Sequence, residues 1–120
     1  MLENFFKEYF MVQLETDGFL IQLGYPANEA NKDKLQKVIE NTEGFEHLEK
    51  HVIQLNDTLK TLKTYVTLSN NKDLLKIKKD TSSEEIEKNV DEIVQNWAQK
   101  YKVQLVYQPQ NNSYYINGRI

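Results

Sequence analysis

The chain has no cysteine. That excludes a disulfide framework, a thiol nucleophile and any zinc or iron–sulfur site built on thiolates. Arginine occurs once, as Arg119, against fourteen lysines. Arginine is the usual bidentate reader of carboxylate, phosphate and guanine, so its scarcity disfavours sites built on planar anion recognition. The four glycines, at positions 18, 24, 44 and 118, are scattered, and no glycine-rich phosphate loop can be drawn through them. No serine lies in a G-x-S-x-G elbow. Long apolar runs are also missing. The longest, Tyr9–Val12 and Phe19–Ile21, fall far short of the roughly 20 residues that span a bilayer. The opening stretch MLENFFKEYFMVQLE lacks a basic start, and Glu3, Lys7 and Glu8 interrupt what would be the core of a signal peptide. These absences lead us to expect a cytoplasmic protein without a membrane anchor.

What remains is 120 residues with 39% hydrophobic and 28% charged side chains and a formal net charge of −3. This is the balance of an ordinary globular chain, and its length suits one domain over residues 1–120. A net negative chain has no overall basic field to draw in nucleic acid or anionic lipid.

Hydrophobic periodicity gives the organisation. Leu2, Phe5, Phe6, Tyr9 and Phe10 recur at helical spacing over residues 2–10. In FMVQLETDGFLIQLGY, Asp17-Gly18 suits a two-residue hairpin turn. It would pair Leu14 with Ile21 and Val12 with Leu23 on one face. A helix is expected over about 29–43, capped by Asn28 or Asn31, with Gly44 beyond its end. Phe45, Leu48, Val52, Leu55, Leu59 and Leu62 follow a heptad seam, yet Asn56-Asp57-Thr58 favours a turn. Helix is expected to about His51, with 52–60 open between helix and strand. A second hairpin is expected over 63–79, turning at 70–72. The segment TSSEEIEKNVDEIVQNWAQKY carries a helical stripe of Ile86, Val90, Ile93, Val94, Trp97 and Tyr101. Thr81 or Ser82 would cap it, with Glu84 or Glu85 completing a capping box. The third hairpin begins at KVQLVY and turns within Pro109–Asn112. With an even-length loop, Tyr107, Tyr114 and Ile116 share a face with Val103 and Leu105. Val106, Tyr115 and Arg119 then share the other, unless a bulge reverses the parity.

The expected fold is therefore α+β: an antiparallel sheet of three β-hairpins with helices packed mainly on one face. Its sheet core should hold Val12, Leu14, Ile21, Leu23, Val66, Leu68, Leu75, Ile77, Leu105 and Ile116. The helices should add Val38, Ile39, Val90, Ile93, Val94 and Trp97.

Candidate sites are few. His47 and His51, the chain's two histidines, are spaced i, i+4 and would share a helix face, a spacing that can hold a divalent cation. The run HLEKH is not the zinc-protease HExxH, because Leu48 occupies the position of the general-base glutamate. Lys72, Lys76, Lys78 and Lys79 make a basic hairpin that could track a nucleic-acid backbone, or that simply guards a sheet edge against aggregation. Glu84, Glu85, Glu87, Asp91 and Glu92 read as a solvated helix face complementing the helix dipole. Val106, Tyr115 and Arg119 are the remaining candidates for partner recognition. No cofactor is implied. The leading expectation is a small non-catalytic protein-interaction module, such as an adaptor, chaperone-like protein or inhibitor, whose partner is another protein or a second copy of the chain. The alternatives are nucleic-acid binding through the lysine hairpin 72–79 and the C-terminal aromatics, and a metal-dependent enzyme using His47 and His51.

Overall fold

The computed structural model describes residues 16–120. Residues 16–22 are helical (α1). Then come α2 (Glu29–Asn41), α3 (Phe45–Leu59) with a 3-10 turn at Lys60–Leu62, β1 (Thr64–Leu68), β2 (Leu75–Lys79), α4 (Glu84–Tyr101), β3 (Val103–Gln108) and β4 (Ser113–Arg119). Among the described residues the strands form one four-stranded antiparallel sheet in the order β1-β2-β4-β3. The class is α+β.

The first expected hairpin does not form. Its second arm is helical through residue 22, and Asp17-Gly18 lies inside α1 instead of at a turn. Burial shows why. Adjacent Phe19 and Leu20 are 3% and 0% exposed while Ile21, expected in the core, is 63% exposed. A strand would send Phe19 and Leu20 to opposite faces, whereas a helix can bury both on one side. Leu23 packs partly buried against the core. A short apolar run cannot be assigned by periodicity alone, and here a tertiary contact accompanies the helix: Phe19 meets Phe45 edge-on at 5.4 Å between centroids. The helix expected over 2–10, and the first arm of that hairpin with Val12 and Leu14, lie outside the described residues.

Asn28 caps α2 by accepting from the Asn31 N–H at 2.9 Å. Gly44 does not close α2, which ends at Asn41. It opens α3 in a left-handed conformation with φ 69°. The helix then continues through Asn56-Asp57-Thr58 because Asn56 has a tertiary task, described below. At α4 the cap is Ser83, not Thr81 or Ser82, and Ile86 stands where a capping box would need an acid or amide.

The second and third hairpins form. Val66 faces Ile77 and Leu68 faces Leu75 across β1 and β2, while Leu75 faces Ile116 and Ile77 faces Tyr114 across β2 and β4. Together with Leu105 and Tyr107 these side chains share one face. α3 packs on β1 and β4, and α4 packs on β3 and α3. Between them lie Leu48, Val52, Leu59, Val90, Val94 and Trp97, all buried, with Ile39, Ile93 and Leu105 partly buried around them. Leu35 and Val38 of α2 complete the same core.

The third hairpin turns through Pro109–Asn112, since Gln108 pairs with Ser113 and Tyr107 with Tyr114. Its register then shifts: Leu105 pairs with Ile116, but Gln104 pairs with Gly118 and Val103 with Arg119. Asn117 is the extra residue of a bulge. Beyond it the parity reverses, so Arg119 shares a face with buried Val103 and leaves the face of Val106 and Tyr115. Two glycines hold this end in place. A Cβ on Gly118 (φ 141°) would lie 2.7 Å from the Glu43 nitrogen, and one on Gly44 would lie 2.9 Å from Arg119 Cβ. The close approach lets the Arg119 N–H donate to the Glu43 carbonyl at 2.7 Å.

Candidate functional site

The two edges of the sheet differ in kind. On β1 the Val66 N–H donates to Asn56 Oδ1 at 2.9 Å and the Leu68 N–H donates to the Tyr25 hydroxyl at 3.1 Å. These residues are two apart, so both N–H groups point away from β2 along the same side. Asn56 is 5% exposed. A side chain from α3 and another from the segment before α2 thus occupy donors that an incoming strand would need. At the other edge, β3 reads VQLVYQ and carries no charge. Among the described residues no side chain bonds to its backbone, and its ladder is with β4 alone. Val106 and Leu105 are half-buried and Tyr107 is 47% exposed. Exposed edge strands are commonly blunted by lysine, proline or a bulge. On β3 those devices appear only at the ends, as the bulge at Gln104/Leu105 and as Pro109 in the loop.

A polar network that the sequence did not reveal joins the sheet to α4. Lys79, on the core face of β2, has a side chain 2% exposed, and its ammonium donates to Asp91 Oδ1 at 2.6 Å. The rings of Tyr114 and Tyr107 lie 5.4 Å and 5.6 Å from that ammonium. The Tyr114 hydroxyl donates to the same carboxylate oxygen at 2.8 Å. Burial, and next the Asp91 carboxylate, push the Tyr114 hydroxyl up to about 12. The Asn112 side-chain amide donates to Glu87 at 2.5 Å, and the Tyr107 hydroxyl donates to Asn112 at 2.9 Å. Each polar group here has a partner, so the arrangement pins α4 to the third hairpin.

The lysine hairpin is therefore divided. Lys79 points inward and is paired. Lys76 and Lys78 lie on the opposite face, half-buried and exposed respectively. Lys72 stands in the loop, 4.8 Å over the ring of Tyr115. The three C-terminal recognition candidates are divided too. Tyr115 is 3% exposed, Val106 half-buried, and Arg119 exposed but carried to the other face by the bulge.

His47 and His51 do sit one turn apart on α3. His47 is exposed, with Nε2 3.6 Å from Glu46. His51 stacks on Tyr101 at 3.7 Å between centroids, its carbonyl accepts from the Trp97 indole at 3.1 Å, and its Nδ1 is enclosed without a hydrogen-bond partner. No group of three His, Cys, Asp or Glu side chains is placed to hold a metal ion among the described residues. No helix among them is long and apolar enough to cross a membrane.

The architecture defines the protein as an α+β chain with, among the described residues, a four-stranded antiparallel sheet. Comparison with family models, with curated proteins and with solved structures finds no significant match to it.

Proposed function

We propose that the protein is a non-catalytic protein-interaction module that engages its partner by strand addition along β3. The observation that carries this reading is the contrast between the edges: Asn56 and Tyr25 occupy β1, whereas β3 is uncharged and, among the described residues, its backbone has no partner on the side away from β4. Strand addition draws its affinity from main-chain hydrogen bonds and its specificity from alternate side chains.

The occupant that β3 fits best is a second copy of itself. In an antiparallel pair about a two-fold axis at Val106, Val106 meets the partner's Val106, Leu105 meets the partner's Tyr107, and Gln104 meets the partner's Gln108. Faces match throughout, and the absence of charge on β3 means that no like charges oppose each other. The sheet would then run through both copies as eight strands. The reading includes helices packed mainly on one face of the sheet and a cytoplasmic location. Sedimentation equilibrium tests it: the chain should be dimeric, and Val106→Lys, which sets two lysines against each other on the axis, should be monomeric and folded. A wild-type chain that stays monomeric up to high micromolar concentration overturns self-pairing.

A further inference from the structure

We propose that the cleft between the start of α3, the end of α4 and the end of β4 is a binding site for a phosphate-bearing small molecule. The cleft has a volume of ≈ 360 Å³, and its basic lining consists of His47, His51, Lys100, Lys102 and Arg119, with Leu48 and Tyr101 beside them. Among the described residues no carboxylate lines it, and none of Lys100, Lys102 and Arg119 forms an ion pair. Glu43 and Glu46 border the neighbouring hollow, which shares His47, Lys102 and Arg119 with the cleft.

Three features make this more than a chance gathering of surface lysines. First, the chain is net negative, yet its single arginine and two lysines converge on one concave place. Unpaired like charges in a cleft repel one another, and a bound anion relieves that repulsion. Second, the backbone is fixed where the cations project. The Ile120 N–H donates to the Lys102 carbonyl at 2.8 Å, and Lys102 itself is held left-handed at φ 56° at the end of α4. The β4 bulge brings Arg119 to this side, and the glycine-only contact of Gly118 with Glu43 keeps it there. Third, α3 begins beside the cleft at Gly44 with no side-chain cap, so its positive end adds to the potential of the cations. His51 supplies a wall whose enclosed Nδ1 has no partner within the protein.

The chemistry selects a compact, multiply charged oxyanion. Arg119 offers a planar pair of N–H donors, and the two lysines offer point charges to the remaining oxygens. The Tyr101 ring is not free to stack on a nucleobase, because it already carries His51 at 3.7 Å and has Lys100 5.3 Å from its centroid. The recognised group is the phosphate itself, whether as free phosphate or as the phosphoryl end of a metabolite.

The test is an amide chemical-shift titration with inorganic phosphate, pyrophosphate and a sugar phosphate in separate arms, at constant ionic strength. Saturable shifts at Gly44, His51, Lys102 and Arg119 are expected. Tightest binding by pyrophosphate would assign the site to an inorganic polyanion, and by the sugar phosphate to a phosphorylated metabolite. Arg119→Gln and Lys102→Gln should each weaken binding by about ten-fold, while Lys78→Gln, on the far face of the sheet, should leave it unchanged. The dispersion of the same spectra shows that each variant is folded. Shifts that never saturate, or that Arg119→Gln and Lys102→Gln leave intact, overturn the proposal.

Discussion

Removing the carboxylate of Asp91 should destabilise the protein far more than removing the lysine it serves. Lys79 has a side chain 2% exposed, with its ammonium 2.6 Å from Asp91. Taking away one partner of a buried pair leaves an uncompensated charge, which costs about 3–5 kcal/mol. Asp91 is itself 42% exposed, so water can enter the vacated place and the lower end applies, about 3 kcal/mol for Asp91→Ala. The Tyr114 hydroxyl loses its acceptor in the same substitution. Lys79→Met removes the charge together with its desolvation cost and keeps an unbranched chain between the two tyrosine rings. That change should cost no more than about 1 kcal/mol. The double variant should recover about 2 kcal/mol relative to Asp91→Ala alone, because no buried ammonium is left to compensate. Urea unfolding of the four proteins, with equal m-values, measures the cycle. A cost below about 0.5 kcal/mol for Asp91→Ala would refute the reasoning, since it would mean that the ammonium is solvated in the folded protein.

Two further outcomes follow from the edges and the network. Asn56→Ala should cost about 1–3 kcal/mol by orphaning the Val66 N–H, and amide exchange at Val66 should accelerate in that variant; unchanged exchange there would show that Asn56 does not guard β1. Stability should hold up to about pH 10 and decline towards pH 12. Tyr114 is raised from 10.0 to about 12 in the folded protein, so between those values the folded state binds the extra proton. Tyr114→Phe should flatten the decline that this group contributes, as read from alkaline denaturation.

Much of the sheet could be read from the sequence because local and global signals agree there. Val66, Leu68, Leu75 and Ile77 alternate with polar residues, and the loop between the strands closes where Ser69 accepts from the Asn71 and Lys72 N–H groups at 3.2 Å and 3.3 Å. The stripe of α4 was equally plain. Elsewhere local chemistry pointed away from the outcome. Asp17-Gly18 is a strong turn signal, yet the burial of Phe19 and Leu20 together goes with a helix. Asn56-Asp57-Thr58 disfavours a helix by propensity, yet the Val66 N–H that donates to Asn56 lies ten residues on, and single-segment reasoning does not see it. Lys79 looked like one of a row of surface lysines. Its sheet parity with Ile77 placed it inward, and its partner Asp91 sits on a helix face that read as solvated. The Arg119 position turned on one extra residue in β4. That possibility was visible as a parity argument, but only the contact of Gly118 with Glu43 decides it.

The claim that β3 is the working edge is tested most directly by amide hydrogen exchange along Val103–Gln108, measured at low and high protein concentration. The account predicts that every second amide of β3, on the side away from β4, exchanges fast in dilute solution and becomes protected as concentration rises. Val106→Lys should abolish that dependence. Fast exchange on that side at every concentration would contradict the account.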